Sequence, residues 1–367
     1  MSPDNAPLVL VAAGGTGGHL FPAEALAVAL RQRGARVALA TDTRAAHYGG
    51  EFPAGSVHVI PSATLRGHGP LAYARTLTTL TFGLAKAWLL LRQMQPAVVV
   101  GFGGYPTVPP VFAAAMRGIP TVLHEQNAVM GRANTLLAAR VTAIASSFAE
   151  VKMADAFKSK TTFTGNPVRL NVIAASATPY IPPSSTGALR VLVFGGSQGA
   201  GVMADIVPTA IGRLAPELRN RLIVVQQARG EGLPRVQDFY ARLGVNAEAA
   251  GFFGDLPDRI AHSHLVIARS GASTVAELSA IGRPAIVVPL PHALDQDQLA
   301  NARVLERAGG AIMIKQADFT PERLVSELTA LLSDPARLAG MAAAAKSAGA
   351  LDAAERLADV VLKVANP

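Results

Sequence analysis

Leu8-Val9-Leu10-Val11-Ala12-Ala13 runs into Gly14-Gly15-Thr16-Gly17-Gly18-His19, and a helical pattern follows from Phe21 to Leu30. An unbroken apolar run of this length, without polar alternation, suits a strand covered on both faces, as in a parallel sheet. Arg36 to Thr41 then reads as a second strand, which completes a βαβ unit. The pattern recurs. Ala97 to Val100 leads into Gly101-Phe102-Gly103-Gly104, and Thr121 to Leu123 into His124-Glu125-Gln126-Asn127. It restarts at Arg190 to Phe194, followed by Gly195-Gly196-Ser197-Gln198-Gly199. This loose repeat of strand, glycine turn and helix predicts an α/β protein of two Rossmann-like domains facing across a cleft. Residues 1–170 form the expected amino domain and 189–340 the expected carboxyl domain. Between them 171–188 is uncharged and rich in Pro, Ser, Thr and Ala, the chemistry of a linker. The alanine-rich residues 341–367 are expected as terminal helices packing back on the amino domain.

The chain has 367 residues, half of them hydrophobic and 16% charged, which suits two domains and excludes a disordered or fibrous chain. Its net charge of +8 points to anionic partners: phosphorylated small molecules, an anionic membrane face or nucleic acid. No basic stripe interleaved with aromatics supports nucleic acid. There is no cysteine, so disulfides, thiolate nucleophiles and cysteine-ligated zinc are excluded. The first seven residues are polar and carry Asp4, unlike a signal peptide, so cytoplasmic residence is expected. The uncharged stretch between Arg92 and Arg117 is broken by four glycines or prolines in close succession from Gly101 to Pro106, and reads as strand, loop and helix start rather than a membrane span. On a helical wheel of Leu71 to Leu91, Leu77, Leu80, Leu84, Trp88 and Leu91 share the expected core face. Leu71, Arg75, Phe82, Lys86 and Leu89 form an outward face suited to an anionic membrane surface.

The glycine turns carry the chemistry. Where Gly14 to Gly18 closes a strand and opens a helix, backbone N–H groups and the helix dipole converge on one spot, as a phosphate requires. The spacing matches neither the dinucleotide fingerprint nor a P-loop. His19, at the mouth of this turn, is placed for acid–base work. In the second half, Leu265 to Ala268 is a strand, Arg269-Ser270-Gly271 a loop, and Ala272-Ser273-Thr274-Val275 the first turn of a helix carrying Glu277. Such a loop can hold a diphosphate, and a carboxylate a turn further on can bind ribose hydroxyls. Pro284 to Pro291 is a buried strand ending at a polar cluster, His292 to Gln298. Asp295 and Asp297 there could offer hard oxygens to Mg²⁺, but the pattern is too short to assign a metal site.

Seven segments in order, LVLVAAGGTGGHLFP, GFGGYP, VLHEQNAVMGRAN, TGNPVR, VLVFGGSQGA, RSGASTVAEL and PHALDQDQLANA, resemble the MurG family over essentially the whole chain. That family comprises the lipid I N-acetylglucosaminyltransferases of bacterial peptidoglycan synthesis. The resemblance implies a fold of the glycosyltransferase B type, with the membrane-anchored acceptor on the amino domain and UDP-GlcNAc on the carboxyl domain. It places the donor against Thr16, Gly17, Gly18, Asn127, Arg169, Ser197, Phe253, Arg269, Ala272, Ser273, Thr274, Val275, Glu277 and Gln298. Asp297 would join Gln298 at the sugar, although some members carry glutamine there. Gly14, Gly15, Gly103, Gly104, Tyr105 and His124 would hold the lipid I diphosphate. His19 is the first candidate for the catalytic base and Glu125 the second. The implied enzyme works at the cytoplasmic face of the inner membrane, with no cofactor, on UDP-GlcNAc and lipid I. Anionic inner-leaflet lipids and other cell-wall synthesis proteins are its further expected partners.

Rival readings are a glycolipid synthase or UDP-sugar epimerase on the same fold, and an NAD(P)-dependent oxidoreductase. The last rests on Asp42, which ends the second strand where a Rossmann ribose ligand would stand.

Overall fold

The computed structural model describes residues 6–43, 52–62, 70–196, 201–291 and 296–366, the side chains of 70–77 excepted. The chain divides into two compact units, Met1–Arg169 with Leu351–Pro367, and Leu170–Ala350.

In the first unit β1 (Leu8–Ala12), α1 (Gly17–Gln32), β2 (Arg36–Thr41), β3 (Ser56–Val59), α2 (Pro70–Met94), β4 (Val98–Gly101), α3 (Val108–Met116), β5 (Thr121–Glu125), α4 (Arg132–Ala138), β6 (Ala143–Ser146) and β7 (Thr161–Phe163) follow in order. Among the described residues the strands form one parallel sheet, β3-β2-β1-β4-β5-β6-β7. The second unit runs α5 (Leu170–Ala175), β8 (Leu189–Phe194), α6 (Gly201–Gly212), α7 (Pro216–Arg219), β9 (Leu222–Gln227), α8 (Gly232–Leu243), β10 (Asn246–Ala250), α9 (Leu256–Ala261), β11 (Leu265–Ala268), α10 (Ala272–Ile281), β12 (Ala285–Val287), α11 (Asp297–Arg307), β13 (Ala311–Met313), α12 (Pro321–Leu332) and α13 (Pro335–Ser347). Its parallel sheet has the order β10-β9-β8-β11-β12-β13. The order reverses between β1 and β4 in one sheet and between β8 and β11 in the other. In open parallel sheets these switch points, at the carboxyl ends of the strands, are where ligands bind.

The apolar runs become the sheet interiors: Val9 to Ala12, Val98 to Val100, Val191 to Phe194 and Leu265 to Ala268 are all buried. The last helix, α14 (Ala353–Ala365), joins the first unit, where Leu357, Ala358 and Val361 enter the core beneath α1. Arg33 at the end of α1 pairs with Glu355 and Asp359 of that helix. The expectation that all of 341–367 returns to the amino domain needs correction, because α13 stays in the second unit. Its residues Leu338 and Met341 lie in that unit's core.

The expected linker is also corrected. Its first residues form α5, and the next are bound to the second unit. Arg283 donates to the carbonyls of Thr178 (3.0 Å) and Pro179 (3.4 Å), and the Tyr180 hydroxyl donates to that of His264 (3.0 Å). The lack of charge that reads as linker chemistry belongs here to a strap.

On α2 the core face is Gly83, Ala87 and Leu91, with Leu80 and Leu84 partly buried. Trp88 is not in the core: it is 40% exposed, with the Arg117 guanidinium 4.9 Å from its ring centroid. Gly83 explains the rotation. A Cβ there would stand 2.0 Å from the Pro61 carbonyl oxygen, so the helix makes its closest approach on the glycine side and turns Trp88 outward. Phe82 (65% exposed), Lys86 and Leu89 (58% exposed) lie on the outward face. The side chains of Leu71, Arg75 and Leu77 lie outside the described residues.

Candidate active site

The loop after β1 opens α1 with Thr16 as an extended N-cap whose side chain caps nothing. The first turn closes when the His19 and Leu20 amides bond to the Thr16 carbonyl, at 3.1 and 3.2 Å. The amides of Gly17 and Gly18 therefore stand ahead of the helix at the positive end of its dipole. Asp42 accepts the Gly15 N–H at 3.1 Å, so the carboxylate on which the oxidoreductase reading rests braces this loop. The loop after β4 stands beside it. Gly104 has φ +72°, and a Cβ there would lie 3.3 Å from both Cδ2 and Nε2 of His19. The Thr107 hydroxyl donates to the Gly103 carbonyl at 2.6 Å, holding this turn from below; Tyr105 begins the short 3-10 turn that follows. Above α1, the Arg169 guanidinium lies over the Phe21 ring, 3.8 Å from its centroid, which sets a cation beside the helix N-terminus.

His19 is partly buried, and burial holds its pKa below the ordinary 6.5. Its Nδ1 is sealed from solvent with no hydrogen-bond partner. Beneath it His124 is fully buried, its ring tilted against Phe102 at 5.2 Å, and burial lowers its pKa to about 4. Its Nε2 meets the Gly165 carbonyl at 3.2 Å and its Nδ1 meets the Gln126 amide nitrogen at 3.2 Å. His124 is therefore a neutral structural group, not an exposed diphosphate ligand.

That burial predicts a pH dependence. Between about 4 and 6.5 the unfolded chain binds a proton that folded His124 refuses. Its contribution to stability is complete above about pH 6.5 and is lost as pH falls toward about 4, on the order of 1 kcal/mol per pH unit. Urea midpoints at pH 7 and pH 5 check this: the difference is expected to shrink in His124→Gln, and an unchanged difference would contradict it.

Glu125, at the end of β5, is buried and accepts from the backbone N–H groups of Asn127 and Gly131, both at 2.9 Å. The Asn134 amide (2.7 Å) and the Asn127 amide (3.4 Å) also donate to it. Burial raises its pKa while these donors favour the anion. With both oxygens engaged it is an organiser of the 126–131 loop and the start of α4. Asn134, which neither composition nor motif spacing singled out, completes this carboxylate's shell from nine residues away.

In the second unit the α10 N-terminus repeats the α1 arrangement. Gly271 is an extended N-cap without a side-chain cap. The Val275 N–H makes the first helical bond, to the Gly271 carbonyl at 3.0 Å, leaving the amides of Ala272, Ser273 and Thr274 ahead of it. The Ser273 hydroxyl is buried without a partner. Glu277 follows a turn later, almost fully buried. The loop after β8 is tied to the ends of β9 and β10: Gly195 N–H donates to Gln227 Oε1 (3.2 Å), and Gln227 Nε2 to the Gly251 carbonyl (3.3 Å). Ser197 lies outside the described residues, as do His292 to Asp295.

Arg269, expected against the donor, is instead committed to the protein. Its guanidinium is buried, donating to the carbonyls of Val288 (3.0 Å) and Pro289 (3.1 Å) and to Gln316 Oε1 (2.5 Å). It ties the residues just after β12 to Gln316. Ser270 donates to the Gln298 carbonyl at 2.8 Å, and Gln298 Oε1 accepts from Leu290 N–H at 3.1 Å, which leaves the Gln298 amide nitrogen as the end available to a ligand. Asp297 accepts the Gln298 N–H at 2.6 Å, a bond at the start of α11 that occupies one of its oxygens. Phe253 is buried, with the Arg259 guanidinium 4.3 Å from its ring centroid.

Residues 9–146 match the glycosyltransferase family 28 N-terminal domain, and 190–357 the glycosyltransferase family 28 C-terminal domain. The chain is 61% identical, over 98% of its length and 96% of the relative's, to the UDP-N-acetylglucosamine–N-acetylmuramyl-(pentapeptide) pyrophosphoryl-undecaprenol N-acetylglucosamine transferase of Rhodopseudomonas palustris (strain BisB18). Among solved structures it is similar to Acinetobacter baumannii MurG, with TM-score 0.79 and 28% identity over 97% of this chain and 99% of that one. A UDP-GlcNAc 2-epimerase from Neisseria meningitidis shares the fold alone: TM-score 0.68, 16% identity, 97% and 100% coverage. Two parallel-sheet units with glycine turns at their switch points, matched along nearly the whole chain, place it: it belongs to glycosyltransferase family 28, of the glycosyltransferase B type, and within it to the MurG family of N-acetylglucosamine transferases.

Proposed function

We propose that this chain moves N-acetylglucosamine from UDP-GlcNAc to the C4 hydroxyl of the muramic sugar in undecaprenyl-linked lipid I. The product is lipid II for peptidoglycan synthesis. The observation that carries this reading is the 61% identity, spanning both units, to a relative named for that transfer.

The residues fit the chemistry step by step. The α10 amides with Ser273 bind the donor diphosphate, Glu277 the ribose, and the Gln298 amide nitrogen a sugar oxygen. Phe253 and the residues around it line the uracil side. Gly14, Gly15, Gly103, Gly104 and Tyr105 present the acceptor, while Thr16, Gly17, Gly18, Asn127 and Arg169 serve the transferred sugar of the donor. His19 takes the proton of the C4 hydroxyl as its oxygen attacks the anomeric carbon. The bond from that carbon to UDP breaks, and attack from the opposite face converts an α-linked donor into a β-linked product. Helix N-termini and Arg169 meet the charge that develops on the departing diphosphate. Because His19 has a lowered pKa, it is unprotonated at neutral pH, and turnover falls as pH drops below its value. The test is release of UDP with and without a short-chain lipid I analogue, together with the coupling constant of the new anomeric proton. Acceptor-dependent release with a β linkage is expected; release indifferent to the acceptor would refute the reading.

No described helix is long and apolar enough to cross a membrane. Reaching a lipid-anchored acceptor then calls for a peripheral contact at the inner face of the cell membrane. The outward face of α2, with Phe82, Leu89 and Lys86, supplies one. Lys86→Ala is expected to weaken sedimentation with anionic vesicles about fivefold, the equivalent of about 1 kcal/mol per basic side chain. Phe82→Ser is expected to weaken it further. Binding indifferent to lipid charge and salt would contradict this surface.

A further inference from the structure

Gln126 stands between the two histidines, and its bonds admit one orientation. Its amide nitrogen lies 2.8 Å from the Phe102 carbonyl and 3.2 Å from His124 Nδ1. A carbonyl accepts and never donates, so the amide NH₂ must point there. The second N–H of that group then goes to His124 Nδ1, which must be unprotonated. His124 carries its proton on Nε2, as its contact with the Gly165 carbonyl requires. Both donors of the Gln126 amide are thereby assigned, and its acceptor Oε1 is left over, as is Asn134 Oδ1 beside the same turn. Gln126 Oε1 lies beside the 102–104 turn, 3.5 Å from where a Gly103 Cβ would stand. Across that turn is His19, whose Nδ1 is sealed from solvent without a hydrogen-bond partner and whose Nε2 lies against Gly104.

We propose that Gln126 is a positioning residue for His19: with the Phe102 carbonyl it draws the proton of His19 to Nδ1, so that Nε2 keeps the lone pair that meets the acceptor hydroxyl. This deepens the reading of His19 as the base and rests on it for its catalytic consequence. Gln126 and the Phe102 carbonyl are also the groups that oppose the lowering of the His19 pKa by burial. An uncharged amide as orienter, in place of a carboxylate, keeps the imidazole a weak base that is free of its proton at neutral pH. The charged and titratable groups packed around it agree. His124 below is neutral, Glu125 is turned to the 127–131 amides, Asp42 braces Gly15, and Arg169 lies over Phe21.

The test reads the tautomer directly in the intact protein. Long-range ¹H–¹⁵N spectra of the histidine rings at pH 8, with His19→Gln to assign the signal, are expected to show neutral His19 protonated at Nδ1. A ring protonated at Nε2 would overturn the proposal. Gln126→Leu is expected to mix the tautomers and lower kcat at least tenfold, with the KM for UDP-GlcNAc changed by less. Gln126→Glu is expected to move the acid limb of the kcat/KM profile upward by about one pH unit or more, as a carboxylate beside an imidazole does. A folded Gln126→Glu enzyme with the wild-type profile would also overturn the proposal. The tautomer is observed whether or not His19 is the base. Wild-type turnover in His19→Gln would therefore refute the base assignment alone, and the ring spectrum judges Gln126 separately.

Discussion

His19→Ala is expected to lower kcat for glycosyl transfer by about 10²–10⁴-fold, the usual range for loss of a general base. UDP-GlcNAc binding is expected to stay within a few-fold. The argument is positional. His19 is the third residue of α1, beside amides that can hold an anion, with Nε2 against the 103–104 turn and burial keeping it unprotonated at neutral pH. The alternative carboxylate, Glu125, already accepts from two backbone amides and two side-chain amides. Single-turnover rates with donor binding measured by calorimetry make the separation. Unchanged turnover in folded His19→Ala would remove the residue from the chemistry, whereas equal losses in binding and turnover would make it a ligand rather than a base.

Arg283→Met is expected to cost about 3–5 kcal/mol, because it strips a buried charge from partners that cannot be resolvated. The guanidinium is almost wholly buried and has carbonyls for partners. It donates to Ala261 at the end of α9, to Ile281 and Gly282 at the end of α10, and to Thr178 and Pro179 of the strap. Two helix C-termini, each with a partial negative charge, thus stand in for a carboxylate. The same substitution frees the strap, so chymotryptic cleavage at Tyr180 is expected to accelerate with the loss of stability. Arg283→Lys is expected to fall between the two, since an ammonium cannot reach carbonyls in a planar fork. A thermal midpoint lower by roughly 10 °C in Arg283→Met is the reading to look for; a midpoint unchanged within error would contradict this role.

How much of this was legible beforehand follows from the range of each interaction. The strands at the sheet centres, β1, β4, β11 and, after Arg190, β8, are apolar runs and declare themselves locally. Edge strands do not: β3 reads SVHV, β7 TTF and β10 NAEAA, short and partly polar because one side faces no neighbour, and β13, AIM, is apolar but only three residues long. The helical wheel of α2 misplaced Trp88 because it weighs hydrophobicity, while the helix orientation is decided by the close approach of Gly83 to Pro61.

The same divide runs through the site. Glycine turns that open helices are visible as sequence, because their function is carried by their own backbone amides. The commitments of charged side chains are not, since Asp42 to Gly15, Arg269 to Gln316 and Arg283 to Thr178 join residues far apart in the chain. Gln126 sits inside a motif already singled out, yet its role depends on a carbonyl and a histidine ring that the fold alone brings to it.

The central claim, transfer of a GlcNAc unit to a lipid-linked muramic sugar, is tested most directly by incubating the full chain with UDP-[¹⁴C]GlcNAc and a short-chain lipid I analogue and extracting the glycolipid. Label is expected in the organic phase as a disaccharide product that requires both substrates and is much reduced in His19→Ala. Absence of label there, with transfer to a different acceptor or formation of an epimerised nucleotide sugar, would contradict it.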